Sequence, residues 1–401
     1  MPNTRRWLWL ILALALVIRL GYVYVQLHHN LFHVATFAPD SERYINLANN
    51  LIKRGMYSYE GRESTANDTP GFPLFLAGLR LAFGPGLLAI YIAQIILSVA
   101  TVLMVFFIAQ ACFSDQAGLC AAVLAAIYPL GFIFVATPLT ETLYTFLVTS
   151  FLAILFKITH GRLWAVAAGI LGGVTILTRP VAAGFIGLVC LILALKPTSR
   201  KLGLLSLAGI LLVMAPWVIR NAVVFGEFIP LSTASGYQIY GGNAPDATGG
   251  SNGHMSAGVD FAHPPEQPQG VSDNEWSKKL TIMGLEVYSS DPMLFFQRLP
   301  SKIWNMWRPT WGEASVKNWV AIGAVYLLIW FFALACLISS KCRAPLLWGF
   351  VLYHVVVHAI IFGIVRYRIP VEPALIAIAG GGAVCLWNKI RPDSLPAKAG
   401  T

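Results

Sequence analysis

Three acidic residues and four arginines stand in this sequence where an apolar chain does not ordinarily place charge. Asp40 and Glu42 open the stretch "PDSERYINLANNLIKRG", and Glu141 lies in "YPLGFIFVATPLTETLYTF". Arg179 lies in "TILTRPVAAG", Arg220 in "APWVIRNAVVFG", and Arg366 and Arg368 in "IVRYRIPVEP". A carboxylate within hydrogen-bond reach of a hydroxyl or amine takes its proton as that group attacks. A guanidinium offers a planar fork of donors that matches a phosphate. Acids and arginines facing one another across a cavity would suit chemistry on a phosphate-bearing substrate. Each residue also has a plainer reading. Asp40 can cap the helix that ends near Gly55, and Glu141 can sit in a first helical turn capped by Thr137 or Thr140. Glu372 can neutralise the arginines just before it. Any one arginine can snorkel to outer headgroups. As a group, the arginines are read as ligand-binding.

These residues need elements to hold them, and the composition says of what kind. Of 401 residues, 57% are hydrophobic and 11% charged, against about 25% charged in a soluble domain. The chain is read as an integral membrane protein, because so much apolar surface cannot be hidden in one soluble core. Spans of roughly 20 apolar residues are expected near 7–27, 88–111, 116–134, 139–158, 162–178, 180–196, 202–219, 318–339, 345–364 and 371–388. The first is read as a retained span with no small-residue cleavage site. With both termini inside, the inner loops hold Lys157, Arg162, Lys196, Arg200, Lys201, Lys341 and Arg343, as the positive-inside rule asks. The loop "ACFSDQAG" is the exception, with no basic residue. All seven opening residues then fall on the outer side. The net charge of +10 follows from topology and an anionic lipid ligand and does not suggest nucleic acid.

Two long segments lie outside, 28–87 and 220–317. In the first, Tyr44, Leu47, Ala48, Leu51 and Ile52 make one apolar helix face. The second contains a Gly- and Pro-rich stretch within 241–270, read as a loop over a site. No internal repeat interrupts this plan, so residues 1–401 are read as a single membrane domain. The six cysteines avoid long polar loops, so neither a structural disulfide nor a thiolate metal site is expected. His354 and His358 are four apart and share a helix face. Without a third ligand, polar packing between helices is the better reading than a metal site. No nucleotide-binding glycine motif is present.

In order, "PDSERYINLANNLIKRGMYS", "TPGFPLFLAGLRLAFG", "YPLGFIFVATPLTETLYTFL", "ILTRPVAAG", "PWVIRNAVVFGEFIPLSTASGYQIYGGN" and "RYRIPVEPALIAIAG" resemble the GT-C membrane glycosyltransferases that use polyprenyl-phosphate sugars. That group includes the protein O-mannosyltransferases and the lipid A aminoarabinose transferase. The resemblance implies an all-α polytopic fold of about ten spans, with amphipathic interface helices in the first outer loop and a cavity open to the outside. It implies a hexosyl- or pentosyltransferase that inverts the anomeric carbon, taking sugar from a polyprenyl-phosphate carrier to a glycan, lipid or protein acceptor among membrane lipids. Asp40 and Glu141 match the family's acids and are expected to be catalytic. Glu42, Tyr44, Arg179, Arg220, Arg366 and Arg368 are expected to bind substrate. The implied location is a bacterial inner membrane, with the site facing the periplasm or outside. Some relatives need a divalent metal ion, but the sparse acids here do not require one, so no cofactor is certain. Many relatives carry a basic residue just before "PGFP"; Asn67, Asp68 and Thr69 stand there instead, which leaves phosphate contact from that strip unsupported unless Arg62 supplies it. A transporter or flippase for a lipid-linked saccharide is the alternative. It is disfavoured because the chain lacks two matching halves and carries long outer loops.

Overall fold

A computed structural model describes residues 2–29, 38–59, 64–245, 247, 264–309, 316–339 and 343–390. Arg62 and most of the Gly- and Pro-rich stretch expected to cover the site lie outside these residues. The described elements are helices: α1 (Pro2–His29), α2 (Ala38–Arg54), α3 (Gly71–Phe83), α4 (Leu88–Cys112), α5 (Asp115–Ile127), α6 (Thr140–Leu155), α7 (Arg162–Thr178), α8 (Ala182–Leu195), α9 (Arg200–Phe225), α10 (Ser235–Asn243), α11 (Asp273–Ser290), α12 (Pro292–Trp307), α13 (Val316–Ile338), α14 (Pro345–Ile360), α15 (Val365–Arg368) and α16 (Glu372–Ile390). Each expected span coincides with a helix. On length and composition, α1, α4, α9 and α16 can cross a membrane, and seven further apolar helices are shorter. The chain is an integral membrane protein of this all-helical kind. The span expected at 116–134 is broken: α5 stops at Ile127, and two 3-10 turns, Pro129–Gly131 and Ile133–Ala136, follow. Pro129 has no amide hydrogen to continue the ladder and its ring clashes with the preceding turn.

Between lipid-facing helices there is little hydrophobic drive, so close packing of small residues sets the contacts. Such contacts run along α7 and α9, where Gly169 faces the Ser206 backbone and Gly209 faces Gly169. On α16, Gly380 lies against Ala117 and Ala121 of α5, and Gly382 lies against the Phe332 carbonyl of α13. Gly71, at the start of α3, plays the same part near the outer face: a Cβ there would come within 2.6 Å of Thr178 Oγ1 at the end of α7. That contact fixes the strip 64–70 beside Arg179.

Three buried cations close helix ends. The last carbonyls of a helix have no intrahelical partner, and the dipole makes that end negative. Arg19, deep in α1, donates to the Ala126 and Ala125 carbonyls at 2.8 and 3.3 Å, at the end of α5, and to Ser98 Oγ at 2.9 Å. Lys302 donates to the Ile361 and Ile360 carbonyls at 3.0 and 3.3 Å, at the end of α14. Arg368 donates to the Met306 carbonyl at 3.3 Å and to that of Arg308, at the end of α12, and its Nε lies 2.7 Å from Glu372 Oε1. One expectation about covalent chemistry is overturned. Cys336, buried near the end of α13, is disulfide-bonded, because a cysteine's distance from the polar loops does not decide whether its thiol meets another; Cys112, Cys120, Cys190 and Cys385 are free.

The packing makes a direct prediction. Gly382→Ala would push a methyl group into the Phe332 carbonyl and is expected to cost about 1–3 kcal/mol, seen as a lowered melting temperature in detergent. Gly349→Ala, with open space around it, should leave the melting temperature unchanged or slightly raised.

Candidate active site

The outer ends of several helices bring charge together. α2 begins at Ala38, so Asp40 sits within its first turn, where the helix dipole favours an acid. Arg43 follows one turn later on the same face, and its Nη1 lies 3.2 Å from Asp40 Oδ1. Glu141 is the second residue of α6, whose N-cap is Leu139 with no side-chain cap; neither Thr137 nor Thr140 supplies one. Arg179 follows the last residue of α7. Pro180 disfavours helical backbone at the residue before it, so Arg179 is extended (φ −145°, ψ 119°) and turns away from the helix. Arg366 and Arg368 share the short α15, but two helical residues point about 200° apart. One therefore faces the site while the other turns to the end of α12.

The outcome is a chain of alternating charge. Asp68 Oδ2 lies 2.9 Å from Arg43 Nε, Arg43 reaches Asp40, and Asp40 Oδ2 lies 3.0 Å from Arg366 Nη1. Arg366 Nε then donates to Glu141 Oε1, which also accepts from Arg179 Nη1 at 3.1 Å. Three carboxylates and three guanidiniums thus form one network. Burial by itself would raise the Asp40 carboxyl, but Arg366 and Arg43 outweigh it and hold the group below the ordinary aspartate value. At Asp68 burial wins over Arg43 and the Tyr59 hydroxyl, and the carboxyl is raised.

A cavity of about 990 Å³ opens onto this network. Asp40, Arg43, Tyr44, Asp68, Arg179 and Arg366 line it, together with His354 and His358 of α14 and the start of α10. The side chain of Asp40 is 31% exposed and that of Arg179 18%, whereas Glu141 is 0% exposed. Four residues expected at the site are not part of the cavity lining. Glu141 does not line the cavity; it lies behind Arg179 and Arg366 and holds both. Glu42 is exposed on the outer face of α2 and does not line it. Arg220 is drawn to the Thr65 and Tyr57 carbonyls at 2.8 and 3.3 Å and packs on Trp217, so it pins the first outer loop. Arg368 caps α12. In each case carbonyls, a buried partner or solvent competes successfully for the side chain, and charge type alone does not forecast which.

Two members of the network were missed from the sequence. Arg43 was legible as the residue one turn after Asp40 on the same helix face. Asp68 was noticed only as a departure from a basic position, although an acid there is what Arg43 requires. Asp40 and Asp68 are both engaged by Arg43, Glu141 holds two arginines, and among the described residues no three His, Cys, Asp or Glu side chains form a ligand group.

Comparison with known proteins places this geometry. Residues 67–219, less than half of the chain, match the family described as dolichyl-phosphate-mannose-protein mannosyltransferase. No curated protein matches in sequence. The apo oligosaccharyltransferase of Archaeoglobus fulgidus is similar in structure, with a TM-score of 0.56 and 15% identity over 96% of this chain and 51% of that one. The same organism's oligosaccharyltransferase AglB, solved with an inhibitory peptide and a dolichol-phosphate, gives a TM-score of 0.53 and 14% identity over 96% and 51%. ArnT from Cupriavidus metallidurans bound to undecaprenyl phosphate gives 0.47 and 15% over 98% and 81%. The chain thus spans about half the length of the archaeal enzymes it resembles and shares their helical membrane fold.

The buried network yields a stability prediction. Arg366→Leu leaves Glu141 fully buried with Arg179 as its remaining arginine. The expected cost is about 3 kcal/mol, the lower end for breaking a buried pair, measured by thermal unfolding in detergent. Adding Glu141→Leu to that variant should recover part of the loss, because the uncompensated charge is gone.

Proposed function

We propose that this chain is an inverting glycosyltransferase that moves a sugar from a polyprenyl-phosphate carrier to a hydroxyl or amine of a glycan, lipid or protein acceptor. The observation that carries the reading is the pairing of a partly exposed Asp40 with a buried arginine scaffold on the wall of one large cavity. The match of residues 67–219 to a mannosyltransferase family and the dolichol-phosphate held by a protein of this fold support the donor class. A bacterial inner membrane, with the cavity facing the periplasm or outside, is the matching location.

Asp40 acts as the general base. Its carboxylate is ionised at neutral pH, because Arg366 and Arg43 hold its proton affinity down, and its exposure lets an acceptor hydroxyl reach it. The acceptor oxygen attacks the anomeric carbon, its proton passes to Asp40, and the carbon–oxygen bond to the phosphate breaks. The leaving phosphate gains negative charge as that bond breaks. Cations already fixed beside it lower the barrier, since they meet the charge only as it develops. Arg179 is the cation we assign to that phosphate: it lines the cavity, and Glu141 sets its position. Arg43 and Arg366 hold Asp40. Glu141 is a positioning residue, because the arginines stand between it and the cavity. Asp68 fixes Arg43 from the far side.

Purified protein in nanodiscs, given a polyprenyl-phosphate hexose and a hydroxyl acceptor, tests this. Asp40→Asn keeps the shape and removes the base; transfer should fall by about 10²–10⁴-fold while lipid-phosphate binding persists. Undiminished transfer would remove Asp40 as the base. The acid limb of kcat/KM should lie below about 4, the ordinary carboxylate value, since the group is depressed; a limb near 6 would assign the proton to another group. Movement of labelled lipid across vesicles without any glycosyl product would favour a flippase.

A further inference from the structure

The α14 wall of the cavity is not used in that mechanism, yet it carries a buried polar atom without a partner. His354 and His358 stack with ring centroids 5.9 Å apart and planes 16° apart. Each ring's Nδ1 faces the main-chain carbonyl four residues earlier, Phe350 at 3.1 Å and His354 at 2.8 Å. A carbonyl oxygen only accepts, so Nδ1 carries the hydrogen in both rings. In a neutral imidazole that leaves Nε2 as a bare acceptor. His354 is 1% exposed and its Nε2 is buried without a hydrogen-bond partner. The hydroxyl of Tyr144, across the same cavity wall, is also buried and unpartnered. A buried acceptor left unsatisfied costs about 1–3 kcal/mol, and such atoms call for an explanation.

The same wall runs without a break into the charged network. His358 lies against Tyr367 at 4.9 Å, and Arg179 lies over the rings of both Tyr367 and Tyr144, at 5.3 and 5.6 Å. The unpartnered acceptor therefore borders the arginine assigned to the phosphate. A bare Nε2 cannot bind a phosphate oxygen, because both are acceptors. It selects a donor. The groups next to a lipid-linked phosphate that donate are the hydroxyls of the attached sugar.

We propose that His354 and His358, with the Tyr144 hydroxyl, form a sugar-hydroxyl subsite that distinguishes a glycosylated lipid phosphate from the bare carrier. This rests on the donor class proposed above. It makes the pair specificity residues, with no part in proton transfer. A site built to hydrogen-bond a hydroxyl rejects an analogue lacking it far more strongly than an apolar pocket rejects an extra methylene.

Binding, which needs no turnover, tests this with the full chain in nanodiscs. The probes are farnesyl phosphate, mannosyl farnesyl phosphate and its single-deoxy analogues. Wild type should bind the glycosylated lipid about tenfold or more tighter than the bare phosphate, and one deoxy analogue should lose that advantage. His354→Phe should abolish the advantage and leave bare-phosphate affinity unchanged. His354→Gln, whose side-chain oxygen lies near the position of Nε2, should restore much of it. Because His354→Phe could disturb packing, Tyr144→Phe, which removes only an oxygen, is measured beside it and should lose preference for one deoxy position. Equal weakening of all ligands in these variants, or a sugar advantage retained in His354→Phe, overturns the subsite. If wild type binds the bare and glycosylated lipids equally, the subsite falls while the donor class stands. If it binds neither, the donor class itself falls and the subsite with it.

Discussion

Everything at the outer face depends on one buried carboxylate. Glu141 is fully buried at the start of α6, and its Oε1 accepts from Arg366 and Arg179. Burying a charge this far is costly unless it is paired, and breaking one partner leaves the other stranded. The first turn of α6, the end of α7 and the short α15 are therefore tied to a single point. From that point the ties run outward to Asp40 on α2, then through Arg43 to Asp68 on the strip before α3. Five separate segments meet because their charges have no other place to go.

Arginines in this chain divide by what they meet. Those that meet carboxylates at the outer face build the cavity. Those that meet the last carbonyls of a helix close it: Arg19 at α5 and Arg368 at α12, with Lys302 doing the same at α14. An apolar environment makes both solutions strong, since an unsatisfied carbonyl and an unpaired guanidinium are each expensive there. The carbonyl-capping group holds the frame that keeps the carboxylate-pairing group in register. The two uses are indistinguishable by residue type. They are distinguished by whether a helix ends beside the side chain.

That distinction explains what the sequence made legible. The amphipathic α2 and the helical class follow from composition and periodicity, and each expected span overlaps a helix, four of them long and apolar enough to cross a membrane. Pro129 breaks the third, which ends at Ile127. Asp40, Arg179 and Arg366 stand out by charge in unexpected positions, and Tyr44 by the resemblance of the helix that follows Asp40; all four line the cavity. Arg220 and Arg368 were placed there by the same logic and sit elsewhere, because the loop carbonyls and the α12 terminus that claim them are distant in sequence: Arg220 bonds Thr65, and Arg368 bonds Met306. The two-residue spacing of Arg366 and Arg368 already implied that one helix turn could not aim both the same way. Asp68 and Arg43 needed each other to be recognised. The unpartnered His354 was read as packing because an i, i+4 pair says nothing of which ring atom the backbone leaves bare.

The central claim is that this cavity holds a lipid phosphate against Arg179, with Asp40 facing the acceptor. An experimental structure with a bound polyprenyl phosphate measures it most directly. The phosphate is expected within hydrogen-bond distance of Arg179 and inside the cavity, with Glu141 still behind the arginines. A phosphate seated at Arg220 or Arg368, or outside the cavity altogether, would contradict it.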